Sequence, residues 1–376
     1  MRKILVGIIG IMSLTFLNTQ AQFHVTKDPK DKELFVQTLD KIYNFEFVEA
    51  ESLIAIIKHR FPKHPSYHML MAVKLYWEMV FVSSEHPKYN EYMHQLEMVV
   101  AMSEPLLLNK FTRPEACFFL MGAHSSLAFI YSKNKDYTGA LSQARKSYKY
   151  MKEGFTLKDK YPDFHFSTGI YNFYVEQYPE THPVLKPFMW FFPDGDKQYG
   201  IKELELGSES GTFSKAEALY FVAHVYLKYE NKPEKALDFA KRLYERYPGN
   251  IFYNVRYIEA LIFCNKYEDA DKQIIELNKS DYPYFKMVNQ FFKGMVAEHH
   301  HDKVSAKNMY EKCIHLALSN NIKTSDYLGL AYWRMATLYE QEKNKSKADE
   351  YFRRTEDLEE YSFVIEDVKR YNKKKW

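Results

Sequence analysis

Cysteine is scarce. The 376-residue chain has three, at 117, 264 and 313, and so few in an odd number argue against a disulfide framework. Cys117 falls in the apolar run 116–121 and Cys313 at a helix-packing position, so both read as small buried apolar residues, with one bridge among the three left open. Glycine is sparse too, at 13 residues, and never gathers with serine into a flexible linker. No glycine-rich phosphate loop, Gly-x-Ser-x-Gly elbow or His-Glu-x-x-His helix occurs, so the familiar signatures of nucleotide, serine-hydrolase and zinc-protease chemistry are missing. An excess of one charge is also missing. The formal net charge is +3, which offers no concentrated basic face for nucleic acid.

Long apolar runs are absent beyond the amino terminus. There, Arg2 and Lys3, an apolar stretch over 4–17 and Thr19-Gln20-Ala21 follow the order of a secretory signal peptide. The stretch falls short of the roughly 20 residues a spanning helix needs. No cysteine follows Ala21 to carry a lipid. The expected product is a mature chain beginning near Gln22, exported to a periplasmic or extracellular space, with no integral span. Loss of Arg2 and Lys3 lowers its net charge from +3 to +1.

What the chain has in quantity is aromatic residues, at 17%, and a recurrent spacing. A small residue is followed by buried-type positions four and seven further on: Ala50, Ile54, Ile57; Ala140, Ala144, Ser147; Ala236, Ala240, Leu243; Ala270, Ile274, Leu277; Ala306, Tyr310, Cys313; Ala348, Phe352, Thr355. From Ala236 the leading alanines step by 34, 36 and 42 residues. Positions four and seven apart share one helical face, and a small residue lets a partner helix approach. A period near 34 is the tetratricopeptide signature. Polar turns separate the helices at 134–136, 230–233, 265–266, 301–303 and 343–346, while Pro62 and Pro248 end second helices. The expectation is an all-α array of tetratricopeptide-like helical hairpins forming a superhelix. The region 66–108 supplies a longer, degenerate pair.

One stretch interrupts the repeats. Pro179, Pro183, Pro187 and Pro193 break helix between 179 and 193, yet Met189, Trp190, Phe191 and Phe192 demand a buried surface. The expectation is a helix ending near Tyr178, then a proline- and aromatic-rich arm near 179–196 packed on the repeats. Asp194 or Asp196 would cap a new helix through Gly200 and Leu204. The chain thus divides into a signal peptide (1–21), amino-terminal repeats (22–163), the interrupting segment (164–207) and carboxy-terminal repeats (208–376).

Gly169, Asn172, Phe173 and Pro179, followed by Gly195, Asp196, Gly200 and Leu204, resemble a segment of the tetratricopeptide repeat protein 39 and yeast inclusion-body clearance family. The chain departs from that segment at Glu176, where a serine is expected, and at Pro193. The resemblance implies no catalytic residue and no cofactor. Proteins of the wider repeat class hold partners in a groove lined by the first helix of each repeat. Carried onto this chain, those positions are Tyr220, His224, Phe252, Glu259, Phe291, Met295, Glu298, Trp333, Thr337 and Glu340. Packing against neighbouring repeats is the competing reading of the same stripe.

Chemistry-bearing clusters are few. His299, His300 and His301 are consecutive in a turn and cannot converge on one metal from a helix. Glu203 and Glu205 look like a solvated helix face, and a nucleophile at Cys264 would lack a placed base. The leading expectation is an exported non-catalytic scaffold for a protein or extended peptide. A module for glycan or lipid at the outer membrane is the alternative, and an unrecognised hydrolase the third. A buried apolar cavity beside the arm would favour a small ligand, an open groove a peptide, and ionisable groups clustered in a closed cleft an enzyme.

Overall fold

A computed structural model describes residues 23–80, 87–181, 192–322, 325–356 and 361–374. Residues 1–22, where the sequence predicts a signal peptide, and most of the arm with Trp190 and Phe191, lie outside that set. Among the described residues the helices run α1 (Pro29–Tyr43), α2 (Phe47–Arg60), α3 (Ser66–Met79), α4 (Lys88–Ser103), α5 (Arg113–Lys133), α6 (Tyr137–Leu157), α7 (Phe164–Thr181) and α8 (Lys197–Ser210). They continue as α9 (Lys215–Lys228), α10 (Pro233–Arg246), α11 (Ile251–Phe263), α12 (Tyr267–Leu277), α13 (Pro283–His299), α14 (Lys303–Ser319), α15 (Asp326–Gln341), α16 (Lys345–Glu356) and α17 (Ser362–Lys373). Consecutive helices pack as hairpins, α1 with α2 through α15 with α16, and α17 closes the array. The fold is all-α, a tetratricopeptide-like stack.

The small-residue spacing forms the hairpin seams. Ala50, Ala236, Ala240, Ala270, Ala306 and Ala348 are fully buried, as are Leu243, Leu277, Tyr310 and Cys313. Ala140 and Ala144 are only half-buried, while Ser147 of the same seam is buried. Each of the five polar turns contains one residue at left-handed φ: Lys135, Asn231, Asn265, His301 and Lys343. Third in its histidine run, His301 holds such a turn, with φ 61°. His299 stacks on Tyr267, ring centroids 4.0 Å apart.

The interrupting segment differs in part from expectation. α7 runs through Pro179 and ends at Thr181, because a proline in a last turn costs a single backbone bond. Asp196 caps α8, its Oδ1 accepting from the Tyr199 amide at 2.9 Å. The α7–α8 crossing is close: a Cβ on Gly200 would lie 2.6 Å from the Phe173 amide nitrogen, and one on Gly169 would lie 2.9 Å from the Gly200 carbonyl. These glycines carry the resemblance described above, and their contact explains why the segment needs them.

The array also folds back on itself, which no local spacing shows. The α1–α2 hairpin packs against α9, α10 and α11, in a core shared by Phe35, Ile42, Ile54, Leu219, Leu243 and Tyr253. Asn250 Nδ2 donates to the Tyr43 carbonyl at 2.9 Å. Asp40 accepts from Arg246 at 3.0 Å and from the Tyr247 hydroxyl at 2.9 Å. Asp163 ties α7 to the α8–α9 turn, its Oδ1 accepting from the amides of Thr212, Phe213 and Ser214 at 2.8, 2.6 and 3.0 Å.

Candidate functional site

The fold-back leaves a space between first helices. α1, α3, α5, α7 and α9 surround an apolar pocket of about 570 Å³. Phe35 and Leu39 come from α1, Met69 and Val73 from α3, Phe119 and Gly122 from α5, and Ile170, Tyr174 and Tyr178 from α7. Phe192 and Phe213 complete the wall. Tyr178, just before the arm, and Phe192, in its described part, both line the pocket. Because the walls are helical, their backbone donors and acceptors are already engaged within the helices.

A few hydroxyls and one carboxyl, Glu217 at the start of α9, interrupt the apolar lining. The Tyr43 hydroxyl donates to Glu217 Oε1. Two buried oxygens of the wall, Glu217 Oε2 and Ser66 Oγ, have no partner. Burial pushes the Glu217 carboxyl up to about 7, well above an ordinary glutamate. A folded-state value above the unfolded one means that this group contributes most to stability below pH 4.5 and loses that contribution as pH rises through 7. Glu217→Gln is therefore expected to match the parent near pH 5 and to exceed it by roughly 1–3 kcal/mol at pH 8. Urea melts at the two pH values measure the difference, and equal stabilities at pH 8 would contradict it.

A second buried carboxylate is a correction to the sequence reading. Glu203 is no solvated face: it is 2% exposed, between α7 and α8. It accepts from Lys158 Nζ at 2.7 Å, His165 Nδ1 at 2.9 Å and Thr168 Oγ1 at 2.9 Å. Burial alone would raise its pKa, but those three hydrogen bonds outweigh burial and hold it at about 2. Glu205 is half-buried and accepts from the Tyr226 hydroxyl at 2.6 Å. His165 and Thr168, one turn apart on the aromatic-rich α7, were the available signal.

The proposed partner stripe divides in the structure. Tyr220, His224 and Phe252 meet at a second pocket of about 360 Å³, with Arg256, Tyr284 and Tyr327. Glu259 lies behind them, 1% exposed, paired with Arg256 at 2.5 Å and accepting from the Tyr327 hydroxyl at 3.1 Å. Phe291 and Met295 are core residues, 1% and 8% exposed, because α14 and α15 pack over them. Glu298 accepts from the Tyr310 hydroxyl at 2.9 Å and pairs with Arg334. Trp333 donates from Nε1 to Asp367 of α17 at 2.9 Å. Glu340 pairs with Lys374 at 3.1 Å, and the Thr337 hydroxyl returns to the Trp333 carbonyl. At Phe291 and Met295 the stripe is thus a packing surface, whereas Trp333, Thr337 and Glu340 are half-buried.

The cysteines make poor nucleophiles. Burial pushes the Cys264 thiol up to about 11 and those of Cys117 and Cys313 up to about 12, far from the thiolate range at neutral pH.

No protein-family model matches the chain, and no curated protein matches it in sequence. Among solved structures it is similar to the TPR domain of P58(IPK), at 12% identity and TM-score 0.25, over 92% of this chain and 99% of that one. The repeat architecture rests on the hairpins themselves. Among the described residues no helix is long and apolar enough to cross a membrane.

Proposed function

We propose that this is an exported, non-catalytic helical-repeat protein that binds an aliphatic chain ending in a hydrogen-bond donor. The observation that carries this reading is the 570 Å³ pocket between α1, α3, α5, α7 and α9, with two partnerless buried oxygens in an apolar wall. An extended peptide would bring a backbone amide and carbonyl at every residue into walls whose own groups are engaged, at a desolvation cost of about 1–3 kcal/mol each. An alkyl chain has no such groups, and a terminal hydroxyl or ammonium would satisfy Glu217 Oε2 or Ser66 Oγ. A terminal carboxylate would meet Glu217 as a like charge above pH 7.

The protein-partner reading is the general one for this kind of fold. It needs an accessible stripe, and the burial of Phe291 and Met295 interrupts that stripe at α13. The narrower likeness to the repeat protein 39 family belongs to the proposal as well. Its glycines set α7 against α8, and the neighbouring face of α7, with Ile170 and Tyr174, lines the pocket.

Native mass spectrometry of protein recovered from the exported fraction tests both halves of the proposal. The expected species starts at Gln22 and carries an aliphatic adduct, whereas a chain retaining Met1 and free of adduct contradicts it. Titration with dodecanol and dodecylamine, set against dodecanoate, then tests the site. Gly122 faces the pocket and a Cβ there meets only Met69 Cε at 3.4 Å, so Gly122→Leu fills the space without forcing the backbone apart. At least tenfold weaker binding with unchanged melting is expected. Equal binding by parent and variant defeats the assignment.

A further inference from the structure

The second pocket carries a ligand chemistry of its own, built from residues that the apolar pocket does not use. We propose that the 360 Å³ pocket between α9, α11, α13 and α15 binds one neutral polyhydroxylated ring, a sugar residue.

Its walls combine aromatic faces with polar atoms. Tyr220, Phe252 and Tyr284 present rings, while His224, Arg256 and Asp326 present nitrogen and oxygen. The charges are already balanced. Arg256 pairs with Glu259 at 2.5 Å, and Lys228 pairs with Asp326 at 3.0 Å. Burial, with Arg256 and Lys228 nearby, keeps the His224 ring neutral. A net anion would sit beside the two carboxylates and a net cation beside the two bases, so neither gains from entering.

The unsatisfied atoms point the same way. Arg256 is 7% exposed, and its Nε has no partner. His224 Nδ1 is buried and has none either. Arg256 Nη2 donates to the Tyr220 hydroxyl at 3.2 Å, which leaves the hydroxyl proton of Tyr220 to donate onward. An alkyl chain here would leave these atoms unpaired and desolvated. A sugar ring supplies hydroxyls that both donate and accept, and its C–H faces pack against aromatic rings. Ligand pockets commonly span roughly 300–1,000 Å³, so this one lies at the small end, suited to one ring.

Saturation-transfer NMR on the full chain reads the site directly, with the methyl glycosides of glucose, galactose, mannose and N-acetylglucosamine as probes. Glucuronate and glucosamine serve as the anionic and cationic contrasts. At least one neutral glycoside is expected to show transfer and to bind more tightly than both charged sugars. Tyr220→Phe, which removes one hydroxyl and keeps the ring, should weaken that binding about tenfold, equivalent to about 1.4 kcal/mol. Tyr284→Ala should abolish it while circular dichroism stays helical. No transfer from any of the four glycosides at tens of millimolar overturns the proposal. So does a preference for either charged sugar, or binding that Tyr220→Phe leaves unchanged. Gly122→Leu, which fills the apolar pocket, should leave glycoside binding intact, so failure at one site is distinguishable from failure at the other.

Discussion

Truncating Glu203 to alanine is expected to lower the unfolding free energy by about 3–5 kcal/mol, the range for removing one partner of a buried ion pair. The carboxylate is 2% exposed and is the common acceptor for Lys158, His165 and Thr168. Without it, Lys158 remains buried with the Tyr199 hydroxyl as its remaining hydrogen-bond partner among the described residues. Glu203→Leu combined with Lys158→Met should restore much of the loss, since well-packed apolar residues often replace a buried pair at little net change. The pH dependence runs opposite to that of Glu217. With its folded value depressed to about 2, Glu203 contributes fully above pH 4.5 and loses its contribution as pH falls toward 2. Urea denaturation of the single and double variants decides the matter. A loss under about 1 kcal/mol in the single variant would show that the network carries little.

Gly200→Val should be nearly as damaging, by about 3 kcal/mol or more, at the upper end of overpacking effects. A side chain there meets the backbone of Phe173 and Gly169, at 2.6 and 2.8 Å, and backbone cannot rotate away. α7 and α8 would have to separate, opening the Glu203 network beside them. Gly122→Ala is the control. It also replaces a helical glycine, but meets only a methionine methyl at 3.4 Å, and gains up to about 1 kcal/mol of helix propensity. Thermal melts that rank the two variants alike would remove the close crossing as the reason for these glycines.

The hairpins were legible because their physics is local. Ala236, Ala270, Ala306 and Ala348 each meet a partner helix adjacent in sequence, so the requirement recurs at a period the eye can follow. The α7–α8 segment was legible through its glycines, although their reason, backbone against backbone, appears only in three dimensions. The fold-back was not legible. Tyr43 meets Glu217 and Asn250 across 174 and 207 positions, and nothing in the local spacing marks that pairing. The apolar pocket was hidden for a related reason. Met69, Val73 and Ile170 have the same spacing and character whether they face a partner side chain or a space. Tyr220, His224 and Phe252 were found by repeat position and do converge. Phe291 was found by the same rule and is buried, because the rule identifies a helix face and not what lies against it.

The return of the first hairpin onto the middle of the chain sets an order in time. A ribosome adding roughly 5–20 residues per second needs on the order of 10–40 s to make the 207 positions that separate Tyr43 from Asn250. Throughout that interval Phe35, Ile42 and Ile54 can close on one another and on Leu70, but not on Leu219, Leu243 and Tyr253. The first hairpin, although made earliest, therefore completes its core only once α11 has been synthesised.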